Sequence, residues 1–270
     1  MNVLAPFRRR PTAERRFRRG VYLLPSLFTL ANLFCGYGSI VYSMRQDYET
    51  AAVLIGIAML LDTLDGFIAR LTGSATAFGL QFDSLADVVS FGLAPAILAF
   101  SWGLWPLKRL GWAAGFLFVT AAAMRLARFN IQSAAAADKR YFVGLPSPAA
   151  AGVIASTVYL YPAGLTDYRS SLPALAMVLG PAVLMVSTVR FRSVKVIELG
   201  WRRSYVGLFL GAVVLAAVAS HPRLGLVILA YSYLLSPLAG LAASYLRRRA
   251  AAEATALERE PARGARDTLP

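Results

Sequence analysis

The chain has 270 residues, 57% of them hydrophobic and 16% charged, with a mean hydropathy of +0.56, which is too apolar for a soluble globular surface and indicates a membrane protein. A single cysteine (Cys35) excludes an intrachain disulfide and a cysteine-based metal cluster, and the one histidine (His221), beside Pro222 between two apolar runs, argues against a multi-histidine metal site and a Ser-His-Asp hydrolase. The net charge of +14 comes from basic residues that bracket apolar segments rather than forming a stripe on a soluble domain, so no nucleic-acid partner is expected.

In chain order, residues 1–20 form an arginine-rich arm with no signal-peptide pattern, expected on the cytoplasmic side. Apolar segments follow at about 21–43, 50–71, 85–105, 109–134, 146–164, 172–190, 205–220 and 223–245. Most reach the roughly 20 residues that a helix needs to cross a bilayer, and none shows the alternation of a transmembrane barrel. The expected fold is all-α, a polytopic helical bundle of about eight transmembrane helices over residues 21–246. Residues 247–270, mixed in Ala, Arg, Glu, Gly and Pro, are expected to be a disordered cytoplasmic tail.

The distribution of Lys and Arg supports this topology with both termini inside. The cytoplasmic side receives seven in the arm, Arg70, four from Arg125 to Arg140, five from Arg190 to Arg203 and six beyond residue 246. The opposite side keeps only Arg45, Lys108, Arg109, Arg169 and Arg223. Trp102, Trp105 and Trp112, close to Lys108 and Arg109, are expected to anchor that far interface.

The chemistry concentrates between Asp62 and Asp87, where four of the chain's 14 acidic residues lie at the cytoplasmic end of one span and the start of the next. At 100° per residue, Asp62, Asp65, Gly66 and Ala69 share one helical face, and Gly79, Asp83 and Asp87 form a row on the following helix. Four converging carboxylates repel one another unless divalent cations compensate them. Oxygen-only donors suit Mg²⁺ or Mn²⁺, and this set is enough for two ions, which can bind a pyrophosphate and stabilise a departing phosphate. Gly66 and Gly79 allow a nucleotide to approach the backbone, and Arg70 offers a forked donor to a phosphate.

Asp62, Asp65, Gly66, Ala69, Arg70, Gly79, Asp83 and Asp87 match without substitution the signature D-x2-D-G-x2-A-R-x8-G-x3-D-x3-D, and through it the chain resembles the CDP-alcohol phosphotransferase (phosphatidyltransferase) family. The resemblance implies a small all-helical membrane fold in which an alcohol attacks the phosphorus of a CDP-linked donor and CMP leaves. It further implies that Asp62, Asp65, Asp83 and Asp87 lie at two metal ions, with Asp87 the favoured general base. Asp62, Gly66, Ala69, Arg70 and Gly79 would bind CDP. Homodimerisation is the family expectation.

Outside the signature, Pro25 to Ile40, Phe82 to Ala96 and Met124 to Gly152 are similar to the bacterial phosphatidylserine synthase subgroup of that family. This implies CDP-diacylglycerol and L-serine as substrates, and a bacterial inner membrane with the site facing the cytoplasm. Arg125 and Arg128 would hold the serine carboxylate or a lipid phosphate, or else snorkel to headgroups. Lys139 and Arg140 would likewise meet the acceptor or a lipid phosphate, or else mark topology; they stand just before Gly144-Leu145-Pro146-Ser147-Pro148, a turn-rich entry to the next span that would close over the site. Asn32, polar within the first span, faces nucleotide or acceptor, or makes an interhelical hydrogen bond. The alternatives are the same chemistry with glycerol 3-phosphate, an inositol phosphate or choline as acceptor, or, from another class, a cation-coupled transporter.

Overall fold

A computed structural model describes residues 12–73, 76–134, 141–187, 190–192 and 205–236. Its eight described helices fall on the eight apolar segments in order. They are α1 (Thr12–Met44), α2 (Tyr48–Thr72), α3 (Ala77–Leu107), α4 (Arg109–Ala134), α5 (Ser147–Leu160), α6 (Tyr168–Val186), α7 (Tyr205–Ser220) and α8 (Pro222–Ser236). Five are long and apolar enough to cross a membrane: the Ser26–Met44 part of α1, α2, α3, α4 through Ile131, and α6. By contrast α5 has 14 residues, about 21 Å of helix. It is apolar but shorter than a bilayer core, as are the apolar part of α7 and α8.

The ends of these helices follow from local chemistry. Asp47 caps α2 by accepting a hydrogen bond from the Thr50 amide at 3.1 Å, and Gln46 takes a positive φ of 63° to complete the three-residue turn from α1. Gly73, at φ 60° where a side chain is disfavoured, closes α2 with its N–H on the Ala69 carbonyl. Thr76 opens α3 by accepting from the Gly79 amide at 3.0 Å.

Two features lie outside the sequence expectation. Helix α3, which carries Gly79, Asp83 and Asp87 as expected, widens into π-turns at Val88–Leu93 and Phe100–Leu104 before a 3-10 turn at Trp105–Leu107. In addition, a two-stranded antiparallel ribbon, β1 (Tyr141–Val143) with β2 (Arg190–Arg192), pairs Phe142 with Phe191 and joins the segment before α5 to the one after α6. The basic arm, expected over 1–20, is helical from Thr12 as part of α1, whereas the expected tail 247–270 lies outside the described residues.

The core is built largely from small side chains. Ala51, Ala52, Ile55 and Ala58 on α2 and Ala150, Ala151 and Ile154 on α5 are all buried, and the two helices pack against each other. Such residues let backbones approach closely where lipid gives no hydrophobic drive to association. Phe91 and Phe118, fully buried, fill the space between α3 and α4. Trp102 corrects the interfacial expectation: it is 4% exposed and donates its indole N–H to the Tyr161 carbonyl at 2.8 Å, so it is a core residue. Trp105 and Trp112, at 70% and 69% exposed, do present their rings outward.

Candidate active site

The α2–α3 hairpin carries the acidic residues. Asp62 lies two to three turns before the end of α2, and Asp83 and Asp87 lie in the first three turns of α3. One carboxylate oxygen from each of the three lies within 4.8 Å of the others, with Asp87 buried and Asp62 and Asp83 partly exposed. Three like charges at that spacing are unfavourable, by about 3–4 kcal/mol per pair at an effective dielectric near ~20. Arg125 of α4 bears on both Asp62 and Asp87, and Arg70 bears on Asp62, so positive charge already faces the cluster. The hard oxygen donors fit a divalent cation of the Mg²⁺ or Mn²⁺ kind.

Asp65 stands apart from this trio. It is 6% exposed and turned toward α1, where the Thr29 hydroxyl donates to its Oδ2. Its charge still acts on Asp62 and Asp83. Asn32, one turn after Thr29 and fully buried, donates from Nδ2 to Asp87 Oδ1 at 3.5 Å, while its backbone carbonyl accepts from the Ser90 hydroxyl at 3.0 Å. This second contact is possible because Gly36 leaves room for Ser90: a Cβ there would overlap the Ser90 hydroxyl and lie 2.8 Å from its Cα. Helix α1 therefore braces two of the four carboxylates.

The remaining signature residues line the same hairpin. Arg70 is exposed and folds back over Gly66, so a Cβ at Gly66 would come within 3.3 Å of the guanidinium. Ala69 and Gly79 are partly exposed, and the Gly79 amide donates to the Thr76 hydroxyl that caps α3. The arginines of α4 divide. Arg125 donates to the Ser147 hydroxyl at 2.7 Å, lies over the Phe129 ring at 5.6 Å and faces the carboxylates. Arg128 instead donates to the carbonyls of Met185 at 3.2 Å, Val186 at 3.3 Å and Ser187 at 3.5 Å, where it closes the C-terminal end of α6. Lys139 and Arg140 lie outside the described residues.

Thr29, Ser90 and Ser147 contact residues of the candidate site and were not singled out by sequence reasoning. Thr29 had a signal, because Thr29 and Asn32 form a polar i, i+3 pair within an apolar helix. Ser90 lies one turn beyond Asp87 on α3. Ser147 stands buried at the start of α5 and accepts from Arg125, a contact made by tertiary packing alone.

The sequence profile of the CDP-alcohol phosphatidyltransferase family matches residues 22–189, a stretch that contains every signature residue and the whole acidic trio. The chain is 39% identical over 183 residues to a CDP-diacylglycerol–serine O-phosphatidyltransferase of Helicobacter pylori, covering 66% of this chain and 75% of the relative. It is 32% identical over 230 residues to the protein of that name from Mycobacterium leprae, covering 83% and 76%. An archaetidylserine synthase of Methanothermobacter thermautotrophicus is 37% identical over 170 residues, covering 62% and 69%.

Proposed function

Because the chain belongs to the CDP-alcohol phosphatidyltransferase family, we propose that it transfers the phosphatidyl group of CDP-diacylglycerol to the hydroxyl of L-serine, giving phosphatidylserine and CMP. The observation that carries this reading is the convergence of Asp62, Asp83 and Asp87 within 4.8 Å on the two helices that bear the signature. Family membership favours group transfer over cation transport, and the serine-using relatives favour serine over a phosphorylated acceptor.

Asp62, Asp83 and Asp87, with Asp65 held by Thr29, are the residues that would bind two divalent cations, Mg²⁺ or Mn²⁺. When bound, such ions polarise the phosphorus and offset the charge that develops on the departing CMP. The cytidine diphosphate would lie along Gly66, Ala69, Arg70 and Gly79, where the absence of large side chains admits it and the Arg70 fork meets a phosphate oxygen. Asp87, oriented by the Asn32 amide, takes the proton from the serine hydroxyl as it attacks. Arg125, held by Ser147 and Phe129, is suited to the serine carboxylate.

We assign the chain eight membrane segments over 21–246, with the basic arm 1–20 and the tail 247–270 on the cytoplasmic side. The charge bias supports a site that opens to the cytoplasm in a bacterial inner membrane. Homodimerisation is the family expectation that goes with this reading.

The test is CMP release by detergent-purified protein from CDP-diacylglycerol with Mn²⁺ or Mg²⁺, compared across L-serine, glycerol 3-phosphate, inositol phosphate, choline and no acceptor. Release that depends on serine is the expected result. Release that depends only on another acceptor would keep the transfer chemistry and overturn serine.

A further inference from the structure

We propose that the Asn32 side-chain oxygen receives the ammonium group of an amino-acid acceptor, so that one amide orients Asp87 with its nitrogen and binds the substrate with its oxygen. This rests on the serine reading above and adds a residue that selects the acceptor.

Asn32 is fully buried in the middle of α1, and its backbone carbonyl is fixed by the Ser90 hydroxyl at 3.0 Å. Its Nδ2 donates to Asp87 Oδ1 at 3.5 Å, while its Oδ1 has no hydrogen-bond partner among the described residues. Reversing the amide does not resolve this, because it would set a carbonyl oxygen against a carboxylate oxygen. A buried acceptor without a partner is costly, which points to a donor supplied by a ligand.

The surroundings define that donor. Asn32 lies against Asp87, the proposed base for the acceptor hydroxyl, so the donor that reaches its oxygen sits on a carbon next to that hydroxyl, and in serine that donor is the ammonium. Arg125, which faces Asp87 and Asp62, offers the opposite charge for a carboxylate. An acceptor that fits all three features carries a hydroxyl, an ammonium and a carboxylate on adjacent carbons.

The experiment compares L-serine with 3-hydroxypropanoate, which keeps the hydroxyl and carboxylate but lacks the nitrogen. The full-length protein in detergent is assayed for CMP release, giving KM for L-serine and the apparent Ki of 3-hydroxypropanoate as a competitor. Asn32→Ala is expected to raise the serine KM about tenfold or more, as for loss of a hydrogen bond to a charged group, while the Ki moves by less than about threefold. Asn32→Asp, which keeps an oxygen but loses the donor to Asp87, is expected to lower kcat while the preference for serine persists. Equal changes in KM and Ki for Asn32→Ala, or none in either, would overturn the proposal and leave Asn32 a positioning residue for Asp87. If the alanine variant does not fold, loss of the serine preference in the isosteric Asn32→Asp protein would overturn it alone. Wild-type protein that releases CMP with another acceptor but not with serine would overturn the serine reading itself, an outcome distinct from failure in the variants.

Discussion

At the scale of single residues, three carboxylates within 4.8 Å repel one another until positive charge compensates them, and the roles of the neighbouring side chains follow from that need. Asp62→Ala or Asp83→Ala should therefore reduce CMP release to background and abolish the rise in thermal stability that Mn²⁺ gives the wild-type protein, measured by unfolding in detergent with and without chelator. Asp87→Asn should retain binding of CDP-diacylglycerol while kcat falls by about 10²–10⁴-fold, the range for loss of a general base. Near-normal turnover in that variant would contradict the base assignment. The signature residues were legible in the sequence because their spacing is fixed within one hairpin, where helical periodicity alone brings Asp62, Asp83 and Asp87 to facing surfaces. Ser147 was not legible, because it reaches Arg125 from α5 and nothing local marks a residue for contact with a helix distant in the chain. Trp102 was misread for a related reason: proximity to Lys108 and Arg109 signals depth in the membrane but not which side of the helix faces lipid, and the indole turned inward to the Tyr161 carbonyl.

At the scale of helices and turns, α1 matters as the brace of the site. It approaches α3 closely at Gly36, where a Cβ would overlap Ser90. Gly36→Ala is expected to destabilise the protein by about 1–3 kcal/mol through overpacking. At Gly56 on α2 a Cβ would meet nothing within 4 Å, so Gly56→Ala should be neutral or stabilising by about 0.5–1 kcal/mol. Thermal unfolding of the two variants side by side checks the pair, and equal melting temperatures would contradict the brace. Arg128 performs a similar duty at the end of α6, beside Gly144, whose φ of 86° and crowding against Met185 and Arg128 leave no room for a side chain. Helix identity was legible because each apolar run has the length and composition of a buried or lipid-facing helix. The π-turns of α3 and the β1–β2 ribbon were not. A π-turn adds a residue without changing hydropathy, and a three-residue strand is fixed by its partner across the chain rather than by its own composition.

At the scale of the whole molecule, the described residues form five helices long and apolar enough to cross a bilayer and three shorter apolar ones, with the acidic trio on α2 and α3 within about three helical turns of the turn between them. The excess of Lys and Arg in alternate connections predicts that this turn and both termini face the cytoplasm. Reporter fusions after residue 246 and in the loop near Lys108 should show opposite sidedness, and the same sidedness at both would contradict the eight-segment topology. The account as a whole depends on the acidic trio being a divalent-cation centre that serves phosphatidyl transfer. Its most direct test is Mn²⁺ titration of the purified protein by electron paramagnetic resonance in the presence of CDP-diacylglycerol. Two tightly bound, magnetically coupled Mn²⁺ ions per chain, lost together in Asp83→Ala, are the predicted result; unchanged Mn²⁺ binding in Asp62→Ala and Asp83→Ala would contradict it.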